Sequence, residues 1–328
     1  MSAPPIAAPG PDAMAERLRL VRMLAGAFAT GYLLVRLPQL LALGGYDEAR
    51  FEPVGVLAGL ESPLAPALWG ALVLAAIPLG VAFSAGRRLA VTAPAFALLL
   101  LVVTTYRNSW GQVFHTENLL VLQVIVLAVA LALPRPDPAF VIRLLALVTV
   151  TTYVVSGVAK LRSGAWDWVA GDTLRDQVAY DNLRKATLGA PYSPLGAWAV
   201  GHAWIFPPLA VATLAVELGA PLALVRPRWA LAWVACAWTF HLGVLALMAI
   251  FFPYPLLGVA FAPLLPLERI PRWLRRRRAR DPARSPLRYR SIVGPTSATT
   301  ASGSGGAAAA ALRRGSWFKR PPRPGPGG

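Results

Sequence analysis

Eight apolar runs, near residues 20–43, 65–86, 89–106, 118–133, 140–161, 203–225, 228–250 and 255–268, divide the chain at charges, glycines and prolines. In hydrocarbon every backbone N–H and C=O must be satisfied internally, so such runs select a bundle of transmembrane helices. A straight helix crosses the hydrocarbon core in about 20 residues. The fourth and eighth runs are shorter. The pattern therefore predicts an all-α polytopic bundle of about eight spans, or seven with a re-entrant segment. The composition, 56% hydrophobic and 14% charged, excludes an ordinary soluble domain. The 11 Trp and 8 Tyr suit rings that settle at headgroup level.

Charge orders the runs. With Arg17, Arg19 and Arg22 in the cytoplasm, eight crossings place Arg87, Arg88, Arg135, Arg143, Arg226, Arg228 and the 275–278 arginines on that same side. The first outer loop, YDEARFEPVGVLAGLES, carries four acids and one arginine. This obeys the positive-inside bias and predicts a multi-pass cell-membrane protein with both termini cytoplasmic. Residues 1–15 are Pro/Ala-rich, lack a signal-peptide core with a cleavage site, and are expected to be a disordered lead. Residues 16–268 form the expected transmembrane domain. The outer stretch DTLRDQVAYDNLRKATLG reads as an amphipathic surface helix, ended by PYSPLG.

Residues 269–328 are basic and low in complexity, which predicts a disordered cytoplasmic tail. From Glu268 onward there are 15 Lys/Arg against two acids, +13 of the chain's +17. Directly after a hydrophobic segment, such charge suits anionic lipid headgroups; nucleic acid is the disfavoured partner. Cys236 is the single cysteine, so no intrachain disulfide forms, and histidines scattered at 115, 202 and 241 predict no metal cassette.

Ionisable side chains inside spans are costly and point to function by default. Bland roles compete at each of them. Arg36 lies about seven residues from the outer end of the first span and can snorkel. Glu117 opens the fourth span, where the helix dipole favours a carboxylate. Glu217, in AVELGAPL, falls in the cytoplasmic half of the sixth span as a protonated or paired structural carboxyl. His115 and Asn118 form an i, i+3 pair on one helical face. His241, in CAWTFHLGVLALM, lies deep in the seventh span.

Lys160 is the sharpest case. Tyr153, Ser156, Gly157 and Lys160 fall at i, i+3, i+4 and i+7, one stripe of the fifth helix. A snorkelling lysine is the usual explanation at a membrane boundary. Against it, the outer end is the side that disfavours lysine, and the small residues below leave room for a ligand or a neighbouring helix. Desolvation disfavours the ammonium form and so supplies an amine able to take a proton. Arg36, His115, Asn118, Lys160 and His241 all come out in the outer half of the bilayer. That predicts one polar cavity open to the extracytoplasmic side.

The segment YVVSGVAKLRSGAWDWVAGDTL resembles the Tyr–(x)–Gly–x–x–Lys–Leu…Asp-Trp–x–x–Gly stretch of the HTTM membrane domain, shared by vitamin K-dependent gamma-carboxylase and its bacterial relatives. NSWGQVFHTENLLVL and HLGVLALMAIFFPYPLLGVAF are similar to that family's Trp…His and late His…Phe-Phe regions, and the resemblance covers about residues 15–268. It implies that Lys160 is the base that deprotonates vitamin K hydroquinone or membrane menaquinol, with His115 stabilising charge nearby. O2 and CO2 are the implied co-substrates, since oxygenation of the quinol makes the stronger base that prepares a glutamate for carboxylation. The carboxylase continues into a large lumenal domain where this sequence runs into its tail. Quinol chemistry is therefore the firmer expectation and glutamyl carboxylation the weaker one.

Two functions stay open. One is an enzyme performing quinol-linked oxygenation or proton abstraction and carboxylation at an extracytoplasmic-facing pocket. The other is a non-enzymatic membrane protein, a small-molecule transporter or a partner subunit, using the same pocket to bind a peptide or small molecule. Lys160 and His115 are the candidate catalytic residues. Asn118, Tyr153, Asp167, Trp168, His241, Arg36 and Glu217 are the candidates for the pocket.

Overall fold

A computed structural model describes residues 10–270, Gln112 excepted. The described residues are all-helical, without strands: α1 (Pro11–Ala42), α2 (Pro66–Ala85), α3 (Leu89–Asn108), α4 (Asn118–Ala132), α5 (Pro138–Ala170), α6 (Asp172–Thr187), α7 (Pro194–Val200), α8 (Phe206–Leu218), α9 (Pro227–Met248) and α10 (Pro253–Leu256). Local chemistry sets their ends. Proline occupies the first turn of α1, α5 and α9, where its missing N–H costs nothing. Asp137 caps α5 by accepting the Ala139 N–H at 3.0 Å, and Gly86, at φ 75°, stops α2 and turns the chain into α3.

Among the described residues, Pro11–Gly45, Pro66–Ala85, Leu89–Asn108, Pro138–Ala170 and Pro227–Met248 are long and apolar enough to cross a membrane. The fourth run forms α4, a largely apolar helix of 15 residues, and the expected amphipathic segment forms α6. The sixth run keeps only 13 residues of α-helix, α8, and a bend of 102° separates the 203–218 segment from α7 before it. Helix α5 is central and packs on α1, α4, α6 and α8.

The eighth run does not make a straight span. Pro253, Pro255 and Pro263 lack backbone donors and Gly258 sits at φ 74°, so the chain forms only α10 and a tight 3-10 turn, Val259–Leu264. The segment folds inward, burying Tyr254, Ala260 and Phe261. Irregular backbone at this depth needs partners from elsewhere. Gln123 on α4 supplies them: its amide donates to the Ala260 carbonyl at 3.0 Å and to Thr149 Oγ1 at 2.8 Å, and it accepts from the Tyr254 hydroxyl. Gln123→Leu is expected to cost about 2 kcal/mol by stranding these groups. Thermal unfolding in detergent checks this, and an unchanged midpoint would remove the assigned role.

At the N-terminus, α1 begins at Pro11, inside the stretch expected to be disordered, because the Pro11–Asp12 start followed by Ala, Met, Glu and Arg favours helix. Arg17 then grips Glu268 with two hydrogen bonds of 2.7 and 3.0 Å, tying α1 to the segment after the core. The expected disorder of residues 1–9 and the basic tail beyond 270 lie outside the described residues.

Candidate functional site

Gly157 sets the approach of α8 to α5. A Cβ there would lie 2.8 Å from the Leu218 side chain and 3.1 Å from Glu217 Cβ, so only glycine admits this contact without a shift. One helical turn further along α5, the Lys160 ammonium forms an ion pair with Glu217 Oε1. Glu217 is 4% exposed in its side chain and Lys160 22%, so the carboxylate is buried and the ammonium faces a partly open space. The second carboxylate oxygen, Oε2, is buried with no hydrogen-bond partner among the described residues.

The expected separation of Glu217 from Lys160, in opposite halves of the bundle, is overturned. The chain enters α8 beside Gly171, whose missing Cβ would lie 2.5 Å from Pro207 N. From there α8 runs only 13 residues, bringing Glu217 to the level of Gly157. Counting along an unbroken 23-residue span misplaces it, because the run holds only 13 residues of α-helix between 3-10 turns at Ala203–Ile205 and Ala220–Leu224.

A second polar contact lies two turns back along α5. The Tyr153 hydroxyl and His241 Nε2 share a hydrogen bond of 2.7 Å, and Trp233 packs edge-on against Tyr153 with ring centroids 4.9 Å apart. His241 is buried, and its Nδ1 has no partner among the described residues. Phe252 stands between the two histidines, 5.1 Å from the His241 ring and 5.9 Å from His115.

These residues share one cavity of about 190 Å³. His115, Tyr153, Lys160, Glu217 and His241 supply its polar side, and Leu119, Phe240, Phe252 and Pro255 much of its apolar wall. Lys160, His115, Tyr153 and His241 therefore converge although they are scattered along the sequence. Ser156, on the lysine's stripe, also lines the cavity, whereas Gly157 receives the neighbouring helix.

Other candidates stand elsewhere. Asn118 is exposed at the first position of α4 and lines neither this cavity nor the one at Arg36. The expected helical pairing of His115 with Asn118 does not form, since α4 begins only at Asn118 and His115 precedes it in irregular chain. Asp167 is exposed and outside the cavity, because α5 breaks at Ala165 (φ 39°, ψ −115°) and its last turn points in a new direction. Trp168 is buried behind the site, its ring 5.3 Å from the Lys160 ammonium. Arg36 lines a separate cavity. Glu117 meets Arg107 of α3 at 3.1 Å, and its side chain makes no cap hydrogen bond to its own helix.

Residues missed from the sequence include Phe252 and Tyr254. Their signal was available in FFPYP, where two prolines interrupt an apolar run beside aromatics. No protein-family model, curated protein or solved structure matches this chain.

Proposed function

We propose that the chain is an integral membrane enzyme of HTTM type that takes a proton from a quinol hydroxyl at the Lys160 cavity, with its termini cytoplasmic and the cavity facing the opposite side. The observation that carries this is the Lys160–Glu217 ion pair set on a cavity with apolar walls and two histidines. Those walls suit a flat apolar ring, and Glu217 Oε2 and His241 Nδ1 are the polar atoms left for its hydroxyls. A bound quinol supplies the acidic hydroxyl and the electrons that reduce oxygen. The pair as a whole is neutral, so it accepts one proton at Glu217 while the Lys160 ammonium stays beside the charge left behind. His115 and His241 bring further nitrogen atoms to the same space.

Purified protein in nanodiscs, given menaquinol and O2, is expected to form quinone or epoxide, and Lys160→Ala to lower the rate by about 100-fold or more, the scale of a lost charge-stabilising donor. Adding bicarbonate and a glutamate-containing peptide tests carboxylation in the same preparation. Absence of turnover with menaquinol, ubiquinol and vitamin K hydroquinone would overturn the proposal.

One observation favours a second function. The cavity is bordered by two broken segments, α8 after its bend and the irregular 253–264 chain, and discontinuous helices often hold the substrate in transporters. Small-molecule flux into proteoliposomes that depends on Glu217, without any quinone turnover, would select transport.

A further inference from the structure

A second cavity of about 280 Å³ lies between α1 and the end of α3, lined by Arg36, Gln39, Leu43, Arg107, Trp110 and Phe114 among others, and it shares no residue with the Lys160 cavity. Its two guanidinium groups are not equivalent. Arg107 is committed: it meets Glu117 Oε2 at 3.1 Å, donates to the Tyr32 hydroxyl at 2.9 Å, and lies 3.8 Å over the Phe114 ring. Arg36 has no ion-pair partner among the described residues. The site thus carries one surplus positive charge. The indole N–H of Trp110, on the same wall, is buried without a hydrogen-bond acceptor among the described residues. Two arginines in one cavity repel unless an anion joins them, and a guanidinium fork matches the oxygens of a phosphate.

We propose that this cavity binds the phosphate of a phospholipid headgroup as a monoanion. A phosphodiester carries one negative charge, equal to the surplus, whereas free phosphate is closer to two at neutral pH. Arg36 sits two turns from the end of α1, and the residues just before it, Leu34 and Val35, are 52% and 75% exposed. Leu43, Tyr46 and Phe114 on the cavity's own lining give an acyl chain apolar surface beside the headgroup, which a free ion does not need. Snorkelling alone explains a solitary Arg36, but not its sharing a cavity with Arg107, Gln39 and Trp110, whose indole N–H is unpaired among the described residues.

The test titrates short-chain phosphatidylglycerol, or inorganic phosphate, into the purified full chain in neutral detergent and reads protection against thermal unfolding. Phosphatidylglycerol is expected to protect the wild type, and Arg36→Gln to need about tenfold more lipid or greater, the size of a lost charged hydrogen bond. Arg143→Gln, at an exposed arginine on α5, is expected to behave as wild type. If Arg36→Gln melts early without lipid, Arg36→Lys takes its place, and an intermediate weakening is expected because charge remains and the fork is lost. Equal protection of wild type and the Arg36 variant, or none of either, overturns the site. Inorganic phosphate protecting as well as the lipid, at equal concentration and in an Arg36-dependent way, overturns the lipid as its source.

Discussion

Glu217→Leu is expected to lower stability by about 3 kcal/mol, because it leaves the Lys160 ammonium facing a cavity with no counter-charge. The figure is at the lower end for a broken buried pair, since Lys160 keeps 22% of its side chain exposed and retains some hydration. Lys160→Met in the same chain should recover most of that loss, because both charges then disappear together. A double-mutant cycle read by thermal or denaturant unfolding in detergent isolates the coupling. Additive losses would show that the pair contributes nothing and that Glu217 acts through packing alone. The double variant also separates fold from chemistry. It should fold like the wild type yet lack the group that accepts a proton, so any surviving quinol turnover would have to come from another base.

The second large effect concerns the scaffold around α9. Gly196→Ala would place a Cβ 1.8 Å from the Leu247 carbonyl oxygen and 2.7 Å from the Asn182 amide nitrogen. Backbone on one side and a committed amide on the other leave no side chain free to yield. The carbonyls at the end of α9 depend on this approach: Asn182 donates to Leu247 O at 2.9 Å, Ser193 donates to Ala246 O, and Lys185 donates to Met248 O. They stand in for the partners that a helix C-terminus lacks. Driving α7 away takes Ser193 from the Ala246 carbonyl and from the Asn182 amide oxygen that accepts its N–H, so a loss of about 3 kcal/mol or more is expected. Unfolding midpoints check the magnitude. Limited proteolysis checks the place, with cleavage after Arg184 and Lys185 expected to quicken. A variant within about 0.5 kcal/mol of wild type would mean that α7 does not need this contact.

Both predictions rest on features with unequal traces in the sequence. The apolar runs announced the helical bundle, since each long run obeys a local rule: enough apolar residues, a cap or proline at the start, a glycine or polar break at the end. Where that rule failed, the causes were local. Three prolines keep the eighth run, open between a span and a re-entrant segment, from forming a straight helix, and 3-10 turns at both ends shorten the sixth. The stripe from Tyr153 to Lys160 was legible because helical periodicity places those positions on one face.

The partner of Lys160 was not legible. Depth estimated by counting residues put Glu217 in the other half of the bundle, and only the close contact at Gly157 brings its carboxylate to the ammonium. Arg36 shows the converse, since it matches Lys160 in estimated depth but faces another cavity with Arg107.

Hydropathy, spacing and charge in the sequence determined by themselves that this chain is helical and membrane-like, and that Lys160, His115 and His241 are costly enough to need a reason. Which of those groups meet was decided only by the tertiary structure. A residue's distance along its helix follows from local geometry, but the direction it faces follows from close packing against helices far away in the sequence.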